Sequence, residues 1–322
     1  MHILITGATG FVGAHLRSYL LQHTDWNIIG TAYPDTPPAP LDAQREHLFY
    51  LDLRDRQAIA TMLDAHRPEY IIHLAAQSHI PSAYKDPWGT LDNNIHGQLN
   101  LLESCLALNL KPRTLVIGSG EEYGRADAAD LPLTENHPLC PENPYTVSKV
   151  TQDVMGYQYF ISFAIPIVRV RPFNHVGPGQ SSRFVLPAFA SQVAQIETGQ
   201  QEPVMHVGNL EPARDFSDVR DVVRAYHALL TNGIPGEVYN IASGIPRSIR
   251  SLMDQLLALS TADIRVEVDP DRYRPADVPV IYGSAEKALR DVGWKPEIPF
   301  EQTVADVLTE WREKTPPSTL RS

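Results

Sequence analysis

The chain predicts an α/β fold, a doubly wound parallel sheet with a smaller C-terminal α/β lobe. Short, near-continuously apolar runs alternate with helix-like segments through the first half, as parallel strands covered on both faces do. A glycine-rich turn, Gly7 to Gly13, separates the first run from the first helix-like segment. Beyond about Arg171 the rhythm breaks into a Gly/Pro-rich stretch and then mixed elements.

Taken in order, strands are expected over residues 3–5, 27–29, 70–74, 114–117 and 165–170. Helices are expected between them, over 12–22, 56–65, 90–108 and 145–163. After the Gly/Pro-rich residues 172–180 come a helix over 186–199, a strand over 204–207 and a helix over 219–230. A strand over 238–241 and helices near 249–259 and 300–314 complete the pattern. This reading gives residues 1–172, with about 215–244, to a nucleotide-binding core. Residues 173–214 and 245–322 form an interleaved substrate lobe.

The bulk properties narrow the function. With 322 residues, 43% hydrophobic and 20% charged, the chain can bury a sizeable core without staples. A net charge of −11 and no long basic run argue against a nucleic-acid partner. The two cysteines, Cys105 and Cys140, lie in neither CxxC nor metal-ligand spacing, so neither a disulfide framework nor a metal is expected. The chain enters a strand at once, without the pattern of a secretory leader, and its apolar runs are strand-sized. The expected setting is the cytoplasm, with no membrane partner.

The glycine turn has the context of a dinucleotide site, after a strand and opening a helix. Gly7 permits the tight turn, Gly10 lets backbone amides approach a pyrophosphate, and Gly13 allows close helix–sheet packing. Thr9, Phe11 and Val12 complete the loop. The second strand ends Gly30-Thr31-Ala32-Tyr33, with no carboxylate to bind a ribose 2′-hydroxyl or repel a 2′-phosphate. That favours NADP(H). Asp35, two residues on, and the lack of an arginine there keep NAD(H) open. Asp52 and Leu53 follow the third strand beside the adenine, and Leu74, Ala75 and Ala76 are small residues where the cofactor passes.

Tyr145 and Lys149 form a YxxxK pair, which a helix places on one face. An ammonium near a phenol favours the phenolate and draws Tyr145 toward a useful range for acid–base work. Ser119 ends the strand over 114–117, in Gly118-Ser119-Gly120-Glu121-Glu122-Tyr123-Gly124, where a hydroxyl can steady a substrate oxygen.

A glycine loop, a strand-end serine in SxxxYG and PYxxSK, in this order, resemble the extended short-chain dehydrogenase/reductase family over nearly the whole chain. The resemblance implies a Rossmann core, a nucleotide-sugar lobe and a Ser119–Tyr145–Lys149 mechanism, with Asn94 joining the cofactor set. It also implies a homodimer through a four-helix bundle of residues 90–108 and 145–163.

RPFNHVGPGQ, GNLEPARDFSDVRD and RPADVP resemble the GDP-sugar branch, with its keto-sugar reductases ahead of its dehydratases. By that resemblance Asn174, Arg214 and Arg274 hold the diphosphate, and Gly208, Asn209 and Glu211 lie near the guanosine. Gln77, Ser78 and His79 line the sugar pocket. A reductase delivers hydride to C4 of the keto-sugar, and Tyr145 protonates the oxygen. A dehydratase would use Glu121 as the base at C5, but Gly120 stands where dehydratases often keep a partner Asp or Ser. A cofactor-binding regulator without turnover is the remaining alternative, and the retained tyrosine and lysine argue against it.

Overall fold

A computed structural model describes residues 1–270 and 278–316. Ile3, Leu4 and Ile5 are fully buried because β1 (His2–Thr6) is an interior strand of a sheet covered on both faces. Successive side chains leave a strand on opposite faces. Ile3 and Ile5 therefore pack with Leu16 and Leu20 of α1 (Phe11–His23), while Leu4 packs with Ile59 and Leu63 on the other side. β2 (Asn27–Ala32) and β3 (Glu46–Tyr50) follow, then α2 (Arg56–His66), which starts where the Asp55 side chain accepts from the Ala58 amide at 3.0 Å. β4 (Tyr70–His73) ends beneath the glycine turn.

The helix expected over 90–108 is broken. α3 (Ile80–Lys85) and α4 (Pro87–Leu91) come first, then a π-helical turn over Asp92–His96, then α5 (Gly97–Ala107). Asp86 caps α4 and Pro87 opens it, a start signal inside what periodicity alone reads as loop. The π turn widens the ladder at Asn94, whose carbonyl accepts from the Gln152 side chain at 2.8 Å.

β5 (Arg113–Ile117) leads through a 3-10 turn (Gly120–Tyr123) to α6 (Pro144–Phe163). Asn143 caps α6 by accepting from the Thr146 amide at 2.9 Å, with Pro144 at the first position. β6 (Ile167–Pro172) begins two residues later than the apolar run, because Pro166 has no N–H to give a ladder.

Beyond it lie β7 (Asn174–Val176), α7 (Val185–Glu197), β8 (Val204–Val207), β9 (Ala213–Asp218), α8 (Val219–Asn232) and β10 (Val238–Ile241). β11 (Pro246–Ser248), α9 (Ile249–Leu259), β12 (Arg265–Val268), β13 (Val280–Ile281), α10 (Glu286–Val292) and α11 (Phe300–Lys314) complete the chain. Several of these strands are too short to show a period of two, which is why the sequence pattern passes over them.

The main sheet runs β10-β6-β5-β4-β1-β2-β3, with every pairing parallel. The order reverses between β1 and β4, which opens a crevice at the strands' carboxyl ends. β9 pairs with β7, β11 and β13, and β8 pairs with β12. A second core of Leu186, Phe189, Val193, Phe216, Leu252 and Val304 gathers beneath these smaller sheets. Trp294, after α10, packs instead with the main sheet's cluster and donates to the Asp221 carbonyl at 2.9 Å.

Candidate active site

The glycine turn is shaped by close approach of backbone. Gly7 adopts φ +69°, and a Cβ there would lie 3.0 Å from Ala75 Cα. At Gly13 a Cβ would meet the Gly7 carbonyl at 2.4 Å. Thr31 holds the turn from β2: its carbonyl accepts from the Ala8 amide at 2.8 Å and its hydroxyl from the Gly7 amide at 3.3 Å. Gly10 caps α1 with no side-chain hydrogen bond, Thr9, Phe11 and Val12 are half-buried beside it, and Gly10 itself is exposed. An exposed, uncapped helix start presents backbone donors and the positive end of a dipole. These residues fit a dinucleotide pyrophosphate.

The remaining cofactor candidates fall into two groups. Leu74, Ala75 and Ala76 are half-buried at the end of β4, with the Ala75 amide donating to Thr6 Oγ1 at 3.1 Å. Asp52 is held by Arg54 at 2.6 Å, which keeps its carboxyl below the usual range, and Leu53 packs beneath Gly97. Asn94 is fully buried. Its side chain accepts from the Gln77 amide at 2.7 Å and donates to Ser148 Oγ at 2.9 Å.

Ser119, Tyr145 and Lys149 meet at the carboxyl end of β5. The Ser119 hydroxyl faces the Tyr145 phenol closely enough to favour its ionised form, and accepts from the Glu121 amide at 3.2 Å. Burial, then Glu121, push the phenol above its ordinary range, against the pull of Ser119. Lys149 Nζ donates to the Ile117 carbonyl at 2.8 Å and to Gln152 Oε1 at 3.0 Å. Burial pushes its ammonium down to about 8, opposed by Glu122. The YxxxK spacing leads one to expect a downward pull from Lys149, but burial and two carboxylates raise the phenol and Ser119 is the group that opposes them. A phenol that keeps its proton is suited to giving one away.

Glu122 holds this group together, and the sequence reading missed it. Its Oε1 accepts from the Ser119 amide at 2.7 Å while the Ser119 side chain caps the same turn. The signal was present: Ser119-x-x-Glu122 has capping-box spacing. Burial and Asp153 push Glu122 up to about 8, opposed by Arg171, which bonds Asp153 Oδ2 at 2.7 Å.

Next to the trio in the chain, Gly120, Glu121 and Asn143 line a cleft of about 860 Å³. His79, Asn174, Gly208, Asn209 and Arg214 line it as well. Burial pushes the Glu121 carboxyl up, opposed by the Arg214 guanidinium. Arg214 Nη1 donates to the Ala213 and Val278 carbonyls at 2.8 and 3.0 Å, which fixes the fork's direction. Glu211 is exposed and paired with Arg250 at 2.8 Å, Ser78 is exposed, and Gln77 donates to Thr90 Oγ1 at 3.0 Å. Arg274 lies outside the described residues. Arg183, Phe184 and His206 also line the cleft and escaped the sequence reading. Arg183 and Phe184 immediately precede α7, a helix start without a side-chain cap, and an Arg just before an uncapped helix was the available clue.

Comparison with known proteins identifies the family. The family model for GDP-mannose 4,6 dehydratase matches residues 4–307. GDP-6-deoxy-D-mannose reductase of Pseudomonas aeruginosa is 36% identical, covering 97% of each chain. GDP-mannose 4,6-dehydratase of Vibrio cholerae is 27% identical over 95% of this chain and 92% of its own. The solved structure of RMD from Pseudomonas aeruginosa complexed with NADPH superposes with a TM-score of 0.87 at 35% identity, over 97% of this chain and 99% of that one. The chain belongs to the GDP-mannose 4,6 dehydratase family, within the extended short-chain dehydrogenase/reductases.

Proposed function

We propose that this chain reduces the C4 ketone of GDP-4-keto-6-deoxy-D-mannose to GDP-D-rhamnose, using NADPH in preference to NADH. The observation that carries the reading is a buried, protonated phenol beside Ser119 and Glu121, the latter lining the cleft. The reductase named above, alike over nearly its full length, supports the same chemistry. The bound nicotinamide supplies the hydride. Ser119 steadies the C4 oxygen, and Tyr145 gives that oxygen its proton. Lys149 keeps a positive charge beside them below about pH 8. Gly7, Gly10 and Gly13 admit the pyrophosphate, and the end of β2 sets no carboxylate against a 2′-phosphate.

In the cleft, Arg214, Arg183 and the start of α7 receive the GDP diphosphate, because guanidinium forks and helix amides both suit phosphate oxygens. Gly208 and Asn209 face the guanosine. Residues 1–172 with about 215–244 serve the dinucleotide, and 173–214 with 245–322 serve the sugar nucleotide. Two free cysteines and a nicotinamide-linked reaction suit the cytoplasm.

The chain is proposed to act as a homodimer through α5 and α6. Val147, Val154 and Ile161 recur every seven residues along α6 and are 41%, 50% and 61% exposed, and Leu99 of α5 is exposed as well. A monomeric mass in solution at working enzyme concentration would count against it.

The dehydratase reading is favoured by one observation, the protonation-prone Glu121 carboxyl close to Tyr145. Purified protein supplied with the 4-keto sugar and NADPH separates the two. Stoichiometric loss of reduced-nicotinamide absorbance supports the reductase. Conversion of GDP-mannose with no net change in nicotinamide supports the dehydratase. Inactivity on both sugars removes both.

A further inference from the structure

Behind Lys149 lies a chain of buried polar groups that the proposed mechanism does not use. Gln152, His73 and Thr6 are each almost completely buried, on α6, β4 and β1. Lys149 Nζ meets Gln152 Oε1 at 3.0 Å, Gln152 Nε2 meets the Asn94 carbonyl at 2.8 Å and His73 Nε2 at 3.1 Å, and His73 Nδ1 meets Thr6 Oγ1 at 2.8 Å. The directions follow from the chemistry of the ends. An ammonium can only donate, so the atom facing it is the amide oxygen. A carbonyl can only accept, so the Asn94 oxygen faces the amide nitrogen. The second amide hydrogen then goes to His73 Nε2, which must be the bare ring nitrogen, and His73 carries its proton on Nδ1 toward Thr6.

Every hydrogen-bonding atom of the Gln152 side chain is therefore committed, and the amide has one orientation. An ammonium has three donors. Two of them go to Gln152 and to the Ile117 carbonyl at 2.8 Å. With two donors tied down, the third has a set direction. The carbonyl of Asn94 that accepts from Gln152 belongs to the π-helical turn. Thr6 Oγ1 also accepts from the Ala75 amide, so the same chain is anchored in the backbone that passes under Gly7.

We propose that Gln152 is a positioning residue for Lys149, oriented by His73 and the Asn94 carbonyl so that its oxygen holds the ammonium against the Ile117 carbonyl. The inference rests on the reading of Lys149 as the working cation of the reductase site. The other groups facing Lys149 are Glu122 from the 3-10 turn and His73 from β4, with Tyr145 one turn earlier on α6. Burial holds His73 neutral, at about 3, which matches the acceptor role of its Nε2. Gln152 is the neutral acceptor that stabilises a buried ammonium without cancelling its charge.

The test reads Lys149 directly. The ε-carbon resonance of Lys149, assigned by its loss in Lys149→Met, is titrated in the wild type, Gln152→Met and Gln152→Glu. Methionine conserves volume and removes the acceptor, so the Lys149 midpoint falls by about one pH unit. Glutamate sets a carboxylate against the ammonium and raises it by about one unit. The two variants thus move the midpoint in opposite directions, which a merely structural glutamine would not do. Either variant, folded by its thermal transition, titrating at the wild-type midpoint overturns the proposal, and the second decides it should the first not fold.

Turnover supplies an independent reading. The alkaline limb of kcat for the 4-keto sugar moves with the NMR midpoint, while the KM for NADPH stays within about threefold. In the Lys149→Met background, Gln152→Met adds no further loss of residual rate. An additive loss there overturns the proposal. If the wild type consumes no NADPH with the keto-sugar, the reductase reading fails, while the resonance titration still decides the role of Gln152.

Discussion

The glycine loop is one unbroken stretch, Gly7 to Gly13, whereas the cleft takes His79, Glu121, Asn174, Arg183, His206 and Arg214 from separated places along the chain. In the loop the working groups are backbone amides, and the side chains matter mainly by being absent. In the cleft the working groups are long side chains carried on β7, β9, the approach to α7 and the loops around them. The first arrangement is rigid and intolerant, because added atoms collide with backbone. The second is adjustable, because each arginine reaches the cleft from its own segment. In the proposed reaction Tyr145 is the junction of the two.

The largest expected effect comes from that junction. Tyr145→Phe removes the proton donor but keeps the ring, so turnover falls by about 10²–10⁴-fold while NADPH binding stays near wild type. Single-turnover kinetics beside a nicotinamide fluorescence titration measure the split. Rapid turnover by this variant would take Tyr145 out of the mechanism.

Next comes the loop. Gly13→Ala places a Cβ 2.4 Å from the Gly7 carbonyl and 2.8 Å from Ala8 Cα, both backbone atoms that cannot swing away. The expected cost is about 1–3 kcal/mol of stability or of dinucleotide binding. Thermal unfolding with and without NADPH distinguishes them, and a variant unchanged in both would refute the close packing at Gly13.

Arg214→Ala tests the adjustable side of the comparison. Losing one charge-assisted contact costs about 1.5–3 kcal/mol, or about 10–150-fold in affinity for the sugar nucleotide. NADPH affinity should hardly change. Equal losses for both ligands would mean that Arg214 supports the fold rather than the cleft.

The same contrast explains what the sequence made legible. A glycine loop, a strand-end serine and a YxxxK pair are each local, so their spacing carries their geometry. The seven-stranded sheet is legible for the same reason, since most of its strands are continuous apolar runs. Glu122 was overlooked because its role depends on burial beside Asp153 and Arg171, groups brought in from α6 and β6. Gln152 was overlooked because its partners His73 and Asn94 come from β4 and a π-helical turn, and periodicity cannot foresee that turn. Arg183 and His206 face the cleft only once α7 and β8 have packed over the second core.

The smallest effect sharpens the comparison most. Glu121 lies in the cleft and, with burial, holds Tyr145 in its protonated form. Its own carboxyl is pushed upward by burial, so a neutral side chain resembles one of its accessible states. If Glu121 only borders the sugar, Glu121→Gln costs less than about tenfold in reduction of the keto-sugar. The phenol, relieved of a nearby negative charge, then ionises at lower pH, while the alkaline limb of turnover, which follows Lys149, stays in place. If Glu121 instead takes the C5 proton, an amide cannot replace it, and the loss approaches the about 10²–10⁴-fold expected for a missing general base. One variant, assayed for keto-sugar reduction and for water elimination from GDP-mannose across pH, therefore decides whether the cleft merely holds the sugar or shares in its chemistry.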